Sequence, residues 1–165
     1  MWPVLRTFGV AFLLVVLDQL SKAAALAYLP SNRSVPVIGN EFFRLTLVQN
    51  PGVIFGCRFF PPSLLLIIAL IASVVLSVFL VKLIHKRSPL RFSVTLLLAG
   101  AVGNVIDRIR FGHVVDFLDF DFPDFIMQRW PVFNVADSCI TVGMTLLVVM
   151  TLFFSKHPSE QKTIS

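Results

Sequence analysis

The sequence is poor in the residues that build soluble surfaces and metal sites. Only 14% of its 165 residues are charged, whereas soluble domains average about a quarter. Its two cysteines, Cys57 and Cys139, form neither a disulfide framework nor a metal-binding pair, and both lie among apolar residues. We interpret them as small packing side chains. A metal site on His113 and Asp116 is not expected, because no second histidine or cysteine lies nearby in the sequence.

Apolar residues are abundant instead. They make up 56% of the chain, and the mean hydropathy is +0.86. One small core cannot bury that much Leu, Val, Ile and Phe, so the surplus is expected to face lipid. The formal net charge is +5, but the basic residues lie at the ends of apolar segments rather than along one stripe. This pattern favours membrane anchoring and argues against a nucleic-acid partner.

Four apolar runs predict transmembrane helices at about 4–28, 61–84, 91–111 and 132–154, since about 20 apolar residues cross a bilayer. The fold class is therefore an all-α membrane protein with a single domain over 1–155 and a cytoplasmic tail over 156–165. The first run has an alternative interpretation as a cleaved signal peptide. Asp18 and Lys22 interrupt it, however, and at positions i and i+4 they can pair with each other against neighbouring helices. We therefore favour a retained span.

The distribution of Lys and Arg predicts the orientation. These residues lie at the start of the first span (Arg6), around the link between the second and third spans, and after the fourth, so both termini are expected in the cytoplasm. The segments at about 30–61 and 112–131 then lie outside. The first alternates in VPVIGNEFFRLTLVQN and predicts a short strand or hairpin. The second contains FLDFDFPDFIMQRW and predicts an interfacial loop or short helix, with Trp130 at the headgroups.

Polar side chains collect near the outer ends of the last two spans. Asn104, Asp107 and Arg108 share one helix face, and Asn134 and Asp137 are three residues apart. Asn50 precedes Pro51 and Gly52 at the end of the predicted strand. These groups are expected to converge inside the bundle, where a structural hydrogen-bond network is one explanation. For Arg108, neutralisation of developing charge, anchoring of the outer loop and an ion pair with an aspartate all stay open.

Asp116 does not fit that explanation, because it is expected in a loop with no evident cationic partner. Paired with Asp137, it would share one proton, and the pair could activate water for amide hydrolysis. Such chemistry requires no metal and no cofactor. Two alternatives remain open: a membrane carrier that uses the carboxylates as a proton or ion site, and an assembly factor with a purely structural polar network.

Five motifs in order carry a resemblance to a known family. They are LDQLSK at 17–22, NPGVIFG at 50–56, AGAVGNVIDR at 99–108, GHVVDFLDF at 112–120 and FNVADSCITVG at 133–143. Together they closely resemble the lipoprotein signal peptidase (signal peptidase II) family. The resemblance implies a four-span aspartic endopeptidase of the bacterial cytoplasmic membrane, with its active site near the outer face. It is expected to cleave diacylglyceryl-modified prolipoproteins before the lipidated cysteine and to bind the cyclic peptide antibiotic globomycin.

By the same resemblance, the catalytic pair is Asp116 and Asp137. The other matching positions are taken to bind substrate or stabilise the site: Asp18, Asn50, Asn104, Arg108 and Asn134. No metal or cofactor is implied; the expected partners are prolipoproteins and membrane lipids, and the expected state is a monomer. The chain departs from the family at Pro51, usually Thr, at Val53-Ile54, usually Ala-Ala, and at Ala99, usually Gly, so the shape of the outer loop is not implied.

Overall fold

Four long helices form the body of the protein. The structure, a computed structural model, describes residues 2–31, 33–54, 57–58, 60–84, 86, 88, 90–121 and 129–154. The helices are α1 (Trp2–Tyr28), α2 (Pro62–Ile84), α3 (Leu90–Phe111) and α4 (Val135–Phe154). All four are long and apolar enough to cross a membrane, which confirms the predicted fold class. The predicted tail over 156–165 lies outside the described residues.

The fourth helix begins three residues later than the prediction of about 132. Phe133 exchanges backbone hydrogen bonds with Leu118, at 2.8 and 3.0 Å, which keeps the chain extended up to Asn134. A residue paired with a strand cannot also take helical backbone angles.

Helix α3 lies at the centre and packs against α1, α2 and α4. Its glycines allow the close approach that the small residues of this span predict. A methyl group on Gly100 would collide with the carbonyl oxygen of Ala136 in α4. One on Gly103 would lie 2.6 Å from a carboxylate oxygen of Asp18 in α1. These contacts bring polar groups of α1, α3 and α4 together.

Two small antiparallel sheets lie between the helices in sequence. The strands are β1 (Val35–Ile38), β2 (Phe43–Asn50), β3 (Val53–Ile54), β4 (Cys57–Arg58) and β5 (Val114–Phe120). One sheet has the order β1-β2-β5 and the other pairs β3 with β4. The hairpin predicted in the first outer segment is therefore confirmed.

The prediction for the second outer segment was wrong over its first half. Residues 114–120 form β5 rather than a loop or short helix, and Asp116 lies within this strand opposite Val48. The reason is long-range: β2 supplies the hydrogen-bonding partner from a distant part of the sequence. Residues 122–128, where a short helix was also considered, lie outside the described residues.

The sheets lie at one end of the bundle, where α1 and α3 end and α2 and α4 begin. We call this the sheet end. Towards the opposite end, α2 and α3 form an apolar core of Leu80, Leu83, Ile84, Val94 and Leu98. The buried polar side chains described next lie towards the sheet end.

Candidate active site

A buried lysine holds two carboxylates together below the sheet end. Lys22 is 2% exposed, and its Nζ lies 2.9 Å from Asp18 Oδ2 and 2.8 Å from Asp107 Oδ2. The ion pair predicted from the i,i+4 spacing of Asp18 and Lys22 is therefore confirmed. The same Nζ donates to Asn104 Oδ1 at 3.0 Å, so all of its polar contacts are with buried groups.

These two carboxylates also bind neighbouring elements. Asp18 Oδ1 accepts a hydrogen bond from the backbone N–H of Ala136 in the first turn of α4, at 2.8 Å. Asp107 accepts one from the backbone N–H of Val115 in β5 at 3.0 Å and one from Gln19 Nε2 at 2.9 Å. The cluster thus joins α1, α3, β5 and α4. Gln19 was missed by the sequence analysis, although a polar residue beside Asp18 in an apolar helix was a usable signal.

Asn134 and Asp137 form a reciprocal cap at the start of α4. The Asn134 side-chain oxygen accepts the backbone N–H of Asp137 at 2.8 Å, and Asp137 Oδ2 accepts the backbone N–H of Asn134 at 3.3 Å. This is the capping-box arrangement, which satisfies two N–H groups that a helix start otherwise leaves unpaired. It fixes the Asp137 carboxylate at the positive end of the α4 dipole, where negative charge is stabilised.

Asn104 connects this cap to the lysine cluster. Its Oδ1 faces Lys22, so its amide nitrogen must point the other way, and it donates to Asp137 Oδ1 at 2.8 Å. An ammonium can only donate, which leaves one orientation for the amide. Lys22 therefore acts on Asp137 through the side chain of Asn104.

Asp116 is held by amides alone. It is 2% exposed, and it accepts hydrogen bonds from Asn134 Nδ2 at 2.7 Å and Asn50 Nδ2 at 3.0 Å. No direct ion pair to Asp116 is found within the part of the chain that the structure describes. Asn134 thus contacts both aspartates: its nitrogen donates to Asp116, and its oxygen caps Asp137.

The turn after β2 sets the position of Asn50. Asn50 Oδ1 accepts the backbone N–H of Gly52 at 2.9 Å, and Gly52 has a φ of +107°. Proline followed by a glycine with positive φ is typical of a tight turn. A side chain at Gly52 would collide with Leu65 of α2. Pro51, a departure from the family pattern, is compatible with this turn because the bond to Asn50 comes from the next residue.

Both aspartates line one cavity of about 540 Å³ at the sheet end. Ser138, Thr141 and Val142 form its α4 side, and four consecutive residues form a second side. We call these four the aromatic wall: Trp130, Pro131, Val132 and Phe133. Two carboxyl groups in a mostly apolar cavity are a suitable setting for acid–base chemistry on a bound substrate.

The environment of Asp116 favours its protonated form. Burial, followed by the charge of Asp137, raises the pKa of Asp116 from 3.8 to about 7, although the amides of Asn50 and Asn134 oppose the shift. A buried carboxyl without a cation takes up a proton more readily because its ionised form is poorly solvated. Near neutral pH, the Asp116–Asp137 pair therefore carries a proton on Asp116 for a substantial part of the time.

Among the predicted site residues, Asp18 and Arg108 show no direct hydrogen bond to Asp116 or Asp137 in the described part of the chain. Asp18 belongs to the Lys22 cluster. The guanidinium Nη1 of Arg108 donates to the Asn104 backbone carbonyl at 3.4 Å, within its own helix. Among the described residues it makes no direct ion pair, but its charge lies within electrostatic range of Asp137 and Asp116. Of the cysteines and histidines, Cys139 is buried and free, and His113 stacks on Phe111. The Cys57 side chain lies outside the described residues.

Known proteins are similar to this chain in sequence and fold. The chain matches the family model described as signal peptidase (SPase) II over residues 10–153. It is 39% identical over 153 residues to a lipoprotein signal peptidase of Chlorobaculum tepidum, covering 86% of this chain and 92% of that protein. It is 43% identical over 150 residues to a lipoprotein signal peptidase of Cupriavidus necator, covering 84% and 78% of the two chains.

A solved structure supports the same relationship. A bacterial membrane enzyme determined by the in meso method at 2.3 Å resolution superposes with a TM-score of 0.79 at 28% identity, covering 96% of this chain and 94% of that chain. Sequence and fold therefore agree over nearly the whole length. The chain belongs to the signal peptidase II family and is a membrane protease.

Proposed function

We propose that this protein is an aspartic endopeptidase that removes the signal peptide from diacylglyceryl-modified prolipoproteins by cleaving before the lipidated cysteine. The observation that carries the mechanism is the contrast in partners. Asp116 and Asp137 face one cavity and share Asn134, whereas the adjacent Asp18 and Asp107 share Lys22.

The two aspartates have different surroundings, and this suggests their roles. Asp137 lies at the start of α4 and accepts hydrogen bonds from the Asn104 side chain and the Asn134 backbone. It is therefore the better site for the negative charge. We assign it as the general base that takes a proton from water. Asp116, whose pKa is raised to about 7 mainly by burial, is the protonated partner. It donates a hydrogen bond to the carbonyl oxygen of the scissile amide.

The steps use only water and these two carboxyl groups. The water oxygen attacks the carbonyl carbon while Asp137 accepts the water proton, giving a tetrahedral intermediate hydrogen-bonded to Asp116. The carbon–nitrogen bond then breaks, and the proton held by Asp137 passes to the leaving amine of the cysteine. The signal peptide leaves with a new carboxyl group, and the pair returns to its starting state.

We further propose that the sheet end faces outwards and that both termini are cytoplasmic. Lys82, Lys86 and Arg91 lie at the opposite end of the bundle, and basic residues favour the cytoplasmic side. The cavity would then lie near the outer membrane face, where a signal peptide ends. Fusing a reporter active only in the cytoplasm to each terminus tests this; activity at neither terminus would reverse the orientation.

The substrate and inhibitor partners follow from the cavity. Its mixture of apolar lining and two carboxyl groups suits a peptide bond beside a lipid-modified side chain, delivered from surrounding lipids. Inhibitors of the globomycin type are expected to occupy the same space. All residues of the proposed site come from one chain, so a monomer of one domain suffices for activity.

The carrier alternative finds less support. A proton or ion pathway needs polar groups or water along the membrane depth. In the described part of the bundle, the buried charged residues Asp18, Lys22, Asp107, Asp116 and Asp119 all lie towards the sheet end, and an apolar core of α2 and α3 residues lies towards the other end. This distribution favours a site at one face over a path across the membrane.

The test is substitution of each aspartate by its neutral isostere. Asp116→Asn and Asp137→Asn should each lower cleavage of a lipid-modified precursor on the order of 10³-fold, because acid–base catalysis is lost. Asp121→Asn, directly after β5, is the matched control: Asp121 contacts Arg129 at 3.4 Å but does not line the cavity, so this variant should retain far more activity than either site variant. Product is measured on gels, and folding is checked by thermal unfolding in detergent. Substantial cleavage by both folded site variants would end this assignment.

A further inference from the structure

A second cluster of charges surrounds Asp119, near the end of β5. Asp119 is 2% exposed and accepts hydrogen bonds from Thr46, from Arg44 Nε at 3.4 Å and from Arg129 Nε at 2.5 Å. Burial raises the pKa of Asp119, but the hydrogen bonds of Thr46 and Arg129 and the two positive charges outweigh it and lower the pKa overall. The carboxylate therefore stays ionised and holds both arginines.

The two arginines share two acidic partners, and Arg129 has a further contact with Asp121 Oδ2 at 3.4 Å. Each pairs with Asp119 and with Glu41, and their side chains are 22% and 24% exposed for Arg44 and Arg129. Arg129 also donates to the Glu41 backbone carbonyl at 2.9 Å. Partly exposed pairs of this kind contribute modestly to stability, so removal of either arginine should have a similar effect on folding.

Their positions in the chain are not equivalent. Arg44 lies within strand β2, which hydrogen bonds to β1 and β5 on its two sides. Arg129 directly precedes the aromatic wall of the cavity, residues 130–133. At the other end of the wall, Phe133 is fixed to Leu118 by backbone bonds and stacks against Phe120, with ring centroids 5.8 Å apart. The wall is therefore fastened to the sheet at both ends, and Arg129 is the first fastening.

We propose that Arg129 is a positioning residue that sets the aromatic wall of the substrate cavity by anchoring it to Asp119 and Glu41. This rests on the proposed function, since it assumes that the cavity binds the substrate. The two carboxyl groups are held by a separate set of amides, those of Asn50, Asn104 and Asn134. A displaced wall therefore weakens substrate binding and leaves the chemical step intact.

The experiment compares Arg129→Gln with Arg44→Gln, using a lipid-modified precursor and the full-length protein in lipid-containing micelles. Arg129→Gln should raise KM by roughly three- to tenfold, as expected for loss of partly exposed charged hydrogen bonds. Its kcat should stay within about twofold of the unsubstituted protein, because a change in KM alone reports lost binding. Arg44→Gln should leave KM and kcat unchanged, although its melting temperature should shift by about as much as that of Arg129→Gln. Arg129→Lys keeps the charge but loses the planar guanidinium, so its KM should lie between those of Arg129→Gln and the unsubstituted protein.

Two results would overturn the proposal: equal rises in KM for both Gln variants, or a fall in kcat at unchanged KM for Arg129→Gln. A second measurement does not depend on cleavage. The chain has two tryptophans, so in a Trp2→Phe background, excitation at a wavelength that tyrosine does not absorb reports on Trp130 alone. Arg129→Gln should increase acrylamide quenching of Trp130 by about twofold, and Arg44→Gln should not, because only the former frees the wall. Identical quenching in both would also contradict the proposal, even if the unsubstituted protein cleaved nothing.

Discussion

Two pairs of carboxyl groups lie side by side in this protein and have opposite kinds of partner. Asp18 and Asp107 share the ammonium of Lys22 and bind backbone N–H groups of α4 and β5. Asp116 and Asp137 contact amides and face a cavity. A single side chain, Asn104, separates the two pairs by contacting both Lys22 and Asp137.

The difference shows how a close cation changes the behaviour of a buried carboxyl group. A buried carboxylate with a close cation and full hydrogen bonding is a fixed charge that holds elements together. A buried carboxyl that has only amide partners can exchange its proton near neutral pH. The first pair is therefore suited to structure and the second to proton exchange, although both consist of the same chemical group.

The largest effect is expected from removing the positive charge of Lys22. Lys22→Met should destabilise the protein by about 3–5 kcal/mol, because Asp18 and Asp107 would be buried beside each other without a positive charge. The measurement is thermal or denaturant unfolding in detergent. Lys82→Met, an exposed lysine in the last turn of α2, is the matched control and should change stability little. Unfolding of Lys22→Met at the same temperature as the control would mean that the cluster is not structural.

A smaller effect is expected where the two functions meet. Asn134→Ala removes both the cap of Asp137 and the donor to Asp116, so cleavage should fall about 100-fold, comparable to loss of one preorganised donor in an active site. Loss of the cap alone should cost about 1–2 kcal/mol of stability. Thr145→Ala, an exposed residue of α4 outside the cavity lining that loses a bond to the Thr141 carbonyl, serves as the control. If folded Asn134→Ala retained its activity, the contacts of Asn134 with the two aspartates would not be needed for cleavage.

The last difference between the two pairs is expected in the pH dependence of cleavage. The pKa of Asp116 is raised to about 7 by burial and by the charge of Asp137, so cleavage should decline as pH rises through about 7. Each further unit should lower the rate about tenfold, since the protonated fraction falls tenfold. Rates in one detergent from pH 5 to 9, with fixed ionic strength, measure this. A rate independent of pH up to 9 would contradict a protonated Asp116.

The stability counterpart has a defined sign. Because the pKa of Asp116 is higher in the folded than in the unfolded chain, its contribution to stability is present at low pH and is lost as pH rises through about 7. Asp116→Asn removes this titration. The melting temperature of the variant relative to the unsubstituted protein should therefore increase with pH between about 4 and 7.

The sequence was informative where interactions are local. Run length predicted the four spans, and the i,i+4 spacing predicted the contact of Asp18 with Lys22. The strand around Asp116 was not predicted, because its partner β2 comes from an earlier outer segment and nothing near residue 116 announces it. The sharing of Lys22 by Asp107 and the meeting of Arg129 with Asp119 likewise depend on long-range packing. The resemblance named the site residues, but their contacts required the fold.

The amide of Asn134 completes the site only when distant parts of the sequence have met. Asp18 and Lys22 are made early in translation, Asn50 and Asp116 later, and Asn134 and Asp137 close to the end. Asp137 and the Asn134 donor to Asp116 both come from the start of α4, so the pair of carboxyl groups cannot assemble before that segment has been synthesised.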